Sequence, residues 1–310
     1  MASGQKWRNS QFYIKKLAEF FINYITVIGE NISMCRAQRT LAEEISFEGV
    51  GIHTGKSSHL TIKPAPTDHG IVFFSGGEYI PATYEYVVST KRSTSLGKGQ
   101  VVVGTVEHLL AALSGLSIDN ALIEIDGPEV PILDGSALPF CQAMEKAGIV
   151  NQDGSEVEDY YIEEPIFVAE GEGLVLAMPD SQYNLEGAVS YASEQVGSQR
   201  FRYCGYDNFV THVAPARTFG FWSEVKTLLE NGLGQGGDFS NALIYDRPGF
   251  DVKKSQRFVN EPVRHKVLDL AGDLCLLGRP LRAFVLAVRA GHKLHVEFVR
   301  KVAEEMRKNA

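Results

Sequence analysis

One predicted helix constrains this chain more than any other segment. Residues 264–273 read Arg-His-Lys-Val-Leu-Asp-Leu-Ala-Gly-Asp, an imidazole and two carboxylates set among aliphatic residues. Asn260 stands where a helix cap is expected, Pro262 suits the first turn, and Gly278 with Pro280 marks the end. At roughly 100° per residue, His265, Asp269 and Asp273 fall at about 0°, 40° and 80°, with Lys266 near 100°. Gly272 lies on the side of His265, so another group can approach the backbone there. Val267, Leu268, Leu270, Ala271, Leu274, Leu276 and Leu277 cover most of the remaining surface, which predicts a helix buried on most sides. Burying an imidazole and two carboxylates there is costly unless something compensates them. A divalent metal does so, with His265 and Asp269 one turn apart as ligands. The competing reading is a polar stripe that faces a water-filled cleft and is held by Lys266 and Arg264.

The 310 residues are 44% hydrophobic and 22% charged, an ordinary globular composition long enough for two domains. Net charge is −8 with no long basic run, which argues against a nucleic-acid binder. Cys35, Cys141, Cys204 and Cys275 are widely spaced and form no C-x-x-C pair. That pattern disfavours a disulfide scaffold and a thiolate zinc site and fits a reducing cytosol. Any metal must then use His and carboxylate ligands. The longest apolar run, Phe20 to Ile28, is too short to span a bilayer and is interrupted by Asn23.

Residues 1–38 differ from the rest of the chain, being basic at first (Lys6, Arg8, Lys15, Lys16) and then amphipathic. A targeting leader, an accessory helix, and translated sequence upstream of a start at Met34 compete, and Glu19 and Glu30 count against the leader. From Arg39 the chain reads as two similar halves, each with strands first and helices after, an α+β pattern. The polar stretch Asn151-Gln152-Asp153-Gly154-Ser155 divides them, giving a first domain over 39–153 and a second over 154–310.

Three further constellations carry chemistry. In Gly104-Thr105-Val106-Glu107-His108, Thr105 is placed to cap a helix whose first turn holds Glu107 and His108. Neighbours on a helix point ~100° apart, so one of the two can ligate a metal while the other reaches a water on it. Equally, Glu107 suits a helix N-terminus electrostatically and His108 suits a surface. Ala290-Gly291-His292 places a His at a strand-to-helix turn opened by Gly, with His295 one turn on. Ala216-Arg217-Thr218-Phe219-Gly220-Phe221 leads into a helix and then Gly232-Leu233-Gly234-Gln235-Gly236-Gly237, a loop without the Gly-Lys-Ser/Thr of a phosphate cradle.

Taken together, the motifs Thr-Val-Glu-His, Ala-Arg-Thr-Phe-Gly, Arg-His-Lys-x-x-Asp-x-x-Gly-Asp and Gly-His resemble the UDP-3-O-acyl-N-acetylglucosamine deacetylases, the zinc amidases that commit material to lipid A. Gly49 to Lys56, Pro64-Ala65-Pro66 and Asp126 to Ser136 extend the resemblance, which runs over about residues 39 to 308. It implies two β-α-α-β sandwich domains packed helix to helix, with the active site between them. It implies a catalytic zinc, or ferrous iron, held by His108, His265 and Asp269 with a position open to water.

By the same resemblance Glu107 is the general base, and Thr218 with the metal holds the oxyanion. His292 is the cationic group that protonates the leaving amine, held by Asp273, and Lys266 faces the site. Arg289 is assigned to the substrate diphosphate, while His53, Phe219 and Gly291 line the substrate path. Phe221, Val225, Leu229, Gly234 and Asn241 are assigned to the acyl passage. The implied partner is a small molecule, an acylated UDP-sugar, acted on by a monomer in the bacterial cytoplasm, with no membrane span but peripheral contact with the inner membrane allowed. Ser93 and Ser95 stand where some relatives have a Cys proposed to bind an inhibitory metal, and the segment before Arg39 lies outside the pattern. Two rival readings are another zinc amidase or sugar-nucleotide hydrolase on this scaffold, and a metal-stabilised binding protein without activity.

Overall fold

The fold, taken from a computed structural model, is described for residues 35–205 and 207–309. The expectations for residues 1–34 lie outside it. Strands and helices mix as the α+β reading requires, and two main sheets repeat one topology. The first runs in the order Ile45–Val50, Ser57–Pro64, Ala121–Asp126, Ile71–Ser75, Glu78–Pro81. Its latest strand in sequence, Ala121–Asp126, is central, antiparallel to Ser57–Pro64 and parallel to Ile71–Ser75. The second runs Ile166–Glu170, Gly173–Met178, Leu281–Val288, Tyr183–Ser190, Ser198–Tyr203. Again the latest strand, Leu281–Val288, is central, antiparallel to Gly173–Met178 and parallel to Tyr183–Ser190. Both central strands alternate buried with less buried residues, which is what a sheet with one face on a core demands. The halves share this pattern rather than residues, so no repeat shows in the sequence.

Helix α1 (Glu107–Gly115) precedes the first central strand and α2 (Leu138–Ala147) follows it. Short α3 (Phe209–His212) and α4 (Trp222–Glu230) come next. Then α5 (Glu261–Cys275) precedes the second central strand and α6 (His292–Asn309) follows. The equivalent helices α1 and α5 pack directly on each other, so both are buried nearly all round. A single apolar core joins Leu60, Phe73 and Ile123 of the first sheet to Val175, Leu185 and Val285 of the second through Leu110, Leu113, Leu268 and Leu270 of these two helices.

Two expectations of local structure change. The polar stretch Asn151 to Ser155 is part of a strand, Ile149–Glu158, paired antiparallel with Cys35–Leu41. The register jumps between Ala37↔Glu156 and Gln38↔Gln152, so residues 153–155 form a bulge in which Asp153 and Gly154 are exposed and Ser155 Oγ accepts from Gln38 Nε2 at 2.9 Å. Beyond it, strands Tyr160–Tyr161 and Ile166–Glu170 are separated by a break containing Pro165. Asn260 holds the cap position of α5, but its Oδ1 accepts from Arg264 Nε at 2.8 Å instead of from a helix N–H.

Candidate active site and metal centre

The packing of α1 on α5 builds the site. A Cβ added at Gly272 would lie 2.1 Å from the Glu107 carbonyl oxygen, so the two helices meet at a contact only glycine permits. Thr105 does not cap α1. It sits at φ +54° and its hydroxyl donates to Glu129 Oε1 at 2.7 Å, while Val106 occupies the cap position. Glu129 is buried and also accepts from the backbone N–H groups of His53 and Thr54, which ties the His53 loop to the start of α1.

His108, His265 and Asp269 are all buried, and one potential ligand atom of each lies within 4.8 Å of the others. His265 Nδ1 lies 3.1 Å from the Ala216 carbonyl, which can only accept, so Nδ1 carries the proton and Nε2 keeps its lone pair. That lone pair faces Asp269 Oδ1 at 3.3 Å, and His108 Nε2 stands 3.9 Å from the same oxygen. Burial, reinforced by His265, holds His108 down to about 3, and burial also lowers His265 against the pull of Asp269. Both imidazoles are therefore neutral near pH 7, and buried Asp269 Oδ1 has no hydrogen-bond donor. The lone pairs of Asp269 Oδ1 and His265 Nε2, with a ring nitrogen of His108 close by, fit a cation. Zinc bonds of ~2.0–2.2 Å at tetrahedral angles put neighbouring ligand atoms roughly 3.3 Å apart, which these side chains match or approach. Lys266 Nζ donates to Asp269 Oδ2 at 2.8 Å and keeps that second oxygen occupied. Although burial opposes it, Asp269 is held well below the usual carboxylate range by His265 and Lys266.

Asp273, His292 and His295 form a second cluster with different character. Asp273 Oδ2 accepts from Nδ1 of both His292 and His295 at 2.8 Å each, and its Oδ1 accepts from Thr94 Oγ1 at 2.6 Å. Every oxygen here has donors, so no cation is called for. Burial opposes charge on both groups, but Asp273 is held at about 2 by His292, and His292 is pushed up to about 9 by Asp273 and Glu107. His292 Nε2 then faces Glu107 Oε1 at 3.7 Å and Asp269 Oδ2 at 3.9 Å. Burial raises Glu107 to about 8 in spite of His292. Base and acid candidates thus flank one point beside the three potential ligand atoms.

Most of these groups, though not Asp273 or His295, open onto a cavity of about 600 Å³. Glu107, His108, His265, Lys266, Asp269, His292 and Gly291 line it together with Thr218, Phe219 and His53. The backbone of Thr218 is pinned by Gly135 and Leu243. An apolar limb continues past Phe221, Val225, Leu228, Ala242 and Ile244, with Leu229 and Gly234 on its wall. It is closed on one side where Gln235 and Gly236 N–H groups donate to the carbonyls of His53 and Ile52.

Two predicted site residues stand apart. Asn241 is buried in the loop wall, where its Nδ2 donates to the Gly236 carbonyl and its Oδ1 accepts from Asp238, so it shapes the limb from behind. Arg289 is exposed and pairs with Glu172 at 3.0 Å, off the cavity wall. Arg92, Tyr191 and Trp222 do line the cavity, and sequence reasoning misses them because they come from loops and a helix start whose spacing carries no pattern.

A family model described as LpxC, UDP-3-O-acyl N-acetylglycosamine deacetylase, matches residues 38–304. The chain belongs to this family. The Chlamydia pneumoniae UDP-3-O-acyl-N-acetylglucosamine deacetylase is 40% identical over 278 residues, 87% of this chain and 98% of the relative. The Thermosynechococcus vestitus deacetylase is 41% identical over 287 residues, covering 91% and 99%. In Chlorobaculum tepidum a bifunctional LpxC/FabZ enzyme is 40% identical over 306 residues, 88% of this chain and 65% of the relative. Membership of the LpxC family fits the buried His/Asp groups. Among the described residues no helix is long and apolar enough to cross a membrane.

Proposed function

We propose that this protein hydrolyses the acetamide of UDP-3-O-acyl-N-acetylglucosamine, releasing acetate and the free amine as the committed step of lipid A synthesis in the bacterial cytoplasm. On this reading His108, His265 and Asp269 hold zinc, or ferrous iron. One observation carries it: the lone pairs of Asp269 Oδ1 and His265 Nε2 meet at 3.3 Å beside Glu107 and His292, in a cavity with an apolar limb. When bound, the ion supplies Lewis acidity at the scissile carbonyl and eases ionisation of the attacking water.

The chain's own groups supply the rest. Glu107 Oε1 accepts the proton of the attacking water, with Oε2 fixed by the Thr94 N–H at 3.0 Å. His292, cationic and oriented by Asp273, stabilises charge at the tetrahedral centre and passes its Nε2 proton to the departing amine nitrogen. Thr218 offers its hydroxyl to the carbonyl oxygen as negative charge develops there. Lys266 keeps Asp269 ionised and turned. The acyl chain lies in the apolar limb, where ~10 methylenes at ~0.8 kcal/mol each amount to several kcal/mol of binding. Arg289, exposed near the end of the last strand, is retained as a contact for the diphosphate outside the cavity.

Turnover of the acylated sugar nucleotide against its unacylated counterpart tests this reading. Strong preference for the acylated compound supports it, and equal rates would assign the site to a different amidase or sugar-nucleotide hydrolase.

A further inference from the structure

We infer that Thr94 is a positioning residue that couples the general base to the general acid. Thr94 is fully buried and precedes the short strand Ser95–Lys98, outside both catalytic helices. All three of its polar groups end at the active site. Its N–H donates to Glu107 Oε2 at 3.0 Å, and its hydroxyl donates to Asp273 Oδ1 at 2.6 Å. Its carbonyl accepts from the Val106 N–H at 3.1 Å, at the first turn of the helix that carries Glu107 and His108. It lines neither the cavity nor the metal site, so it acts through the groups it holds.

The physical consequence differs for the two carboxylates. Pinning Glu107 Oε2 stops rotation of that group and leaves Oε1 facing His292 Nε2 at 3.7 Å. Asp273 Oδ2 already serves His292 and His295, and the Thr94 hydroxyl on Oδ1 fixes the carboxylate plane. A charge-assisted hydrogen bond in a buried site is strong because nothing replaces it when it is lost. Without the hydroxyl, Asp273 can turn about its terminal bond, and the imidazole it orients turns with it. Arg92, two residues earlier, holds φ +67°, an unfavourable turn that carries the chain inward to place Thr94 between the two helices.

The inference rests on the acid–base roles proposed above. Its test compares Thr94→Val, which keeps size and the backbone N–H but removes the hydroxyl, with Thr94→Ser, which restores the hydroxyl. Thr94→Val should lower kcat by about tenfold or more, with KM and metal content as in the wild type, and Thr94→Ser should recover most of the loss. In an Asp273→Asn background Thr94→Val should cost less than about twofold more, because both changes act on the one charge-assisted contact between these residues. The downfield Nδ1–H proton resonance of His292 gives a reading independent of turnover. It should shift or broaden in Thr94→Val and return in Thr94→Ser, and Thr94→Ala serves the same comparison if the Val variant does not fold. Wild-type kcat with an unchanged resonance in Thr94→Val, or fully additive losses in the double variant, would overturn the inference. Failure of the wild type to release acetate would instead sink the functional reading, while the resonance would still report on Thr94.

Discussion

Gly272 of α5 lies against the Glu107 carbonyl of α1 so closely that a Cβ would stand 2.1 Å from the oxygen. The obstacle is backbone, which cannot rotate aside, so Gly272→Ala must push the helices apart. Overpacking of this kind costs typically ~1–3 kcal/mol. The expected outcome is a lower melting temperature together with weakened metal affinity, because His108 rides on one helix and His265 with Asp269 on the other. Thermal unfolding and metal titration of the variant check this, and unchanged values in both would show that the helix contact does not set the site.

Ligand and base variants should separate cleanly. His265→Ala and Asp269→Ala are expected to lose bound metal and activity together. Glu107→Gln should keep its metal and fold but lose about 10²–10⁴-fold in kcat, the usual scale for a missing general base. Metal content per chain measured beside the rate decides it, and a Glu107→Gln variant at the wild-type rate would remove Glu107 from the role.

The pH profile depends on the same pairings. Asp273 and Glu107 outweigh burial and hold His292 protonated up to about 9, so the acid role proposed for it should be present below that pH and lost as pH rises through it. Asp273→Asn removes the main attracting charge, so the alkaline limb should move down in pH. Burial holds Glu107 at about 8. A divalent ion beside it favours its charged form, so the acid limb of the metal-loaded enzyme should lie below that value. A rate profile of kcat/KM for both proteins measures this, and an alkaline limb unmoved in Asp273→Asn would contradict the assignment.

The apolar limb predicts selective loss of long substrates. Ala242 is half-buried on its wall, which Val225 and Ile244 also line. Ala242→Trp should narrow it, costing about fourfold in kcat/KM for each methylene denied burial, from ~0.8 kcal/mol apiece. Short-chain analogues should be nearly unaffected. Equal losses for short and long acyl chains would show that the chain does not enter the limb.

Periodicity made part of this site legible in the sequence. The stripe of His265, Asp269 and Asp273 stands out because the surrounding residues are apolar at helical spacing, and even the close approach at Gly272 can be read from it. The loops behave differently. Thr94 carries no pattern, since its importance lies in where a turn at Arg92 aims it. Thr105 looks like a cap, but the buried Glu129 carboxylate, 24 residues away in sequence, captures its hydroxyl. The pairing of Cys35–Leu41 with Ile149–Glu158 is hidden because both are largely polar edge strands joined over long range. Arg289 is given the diphosphate from its place beside Gly291, yet its left-handed φ of +46° accompanies a side chain paired with Glu172.

The most direct test of the account is acetate release from UDP-3-O-acyl-N-acetylglucosamine by metal-loaded protein, run beside a chelator-stripped sample. Release should stop on stripping and return when zinc or ferrous iron is added back. Folded, metal-bound protein that releases no acetate, or a stripped sample that works as well as the loaded one, would contradict it.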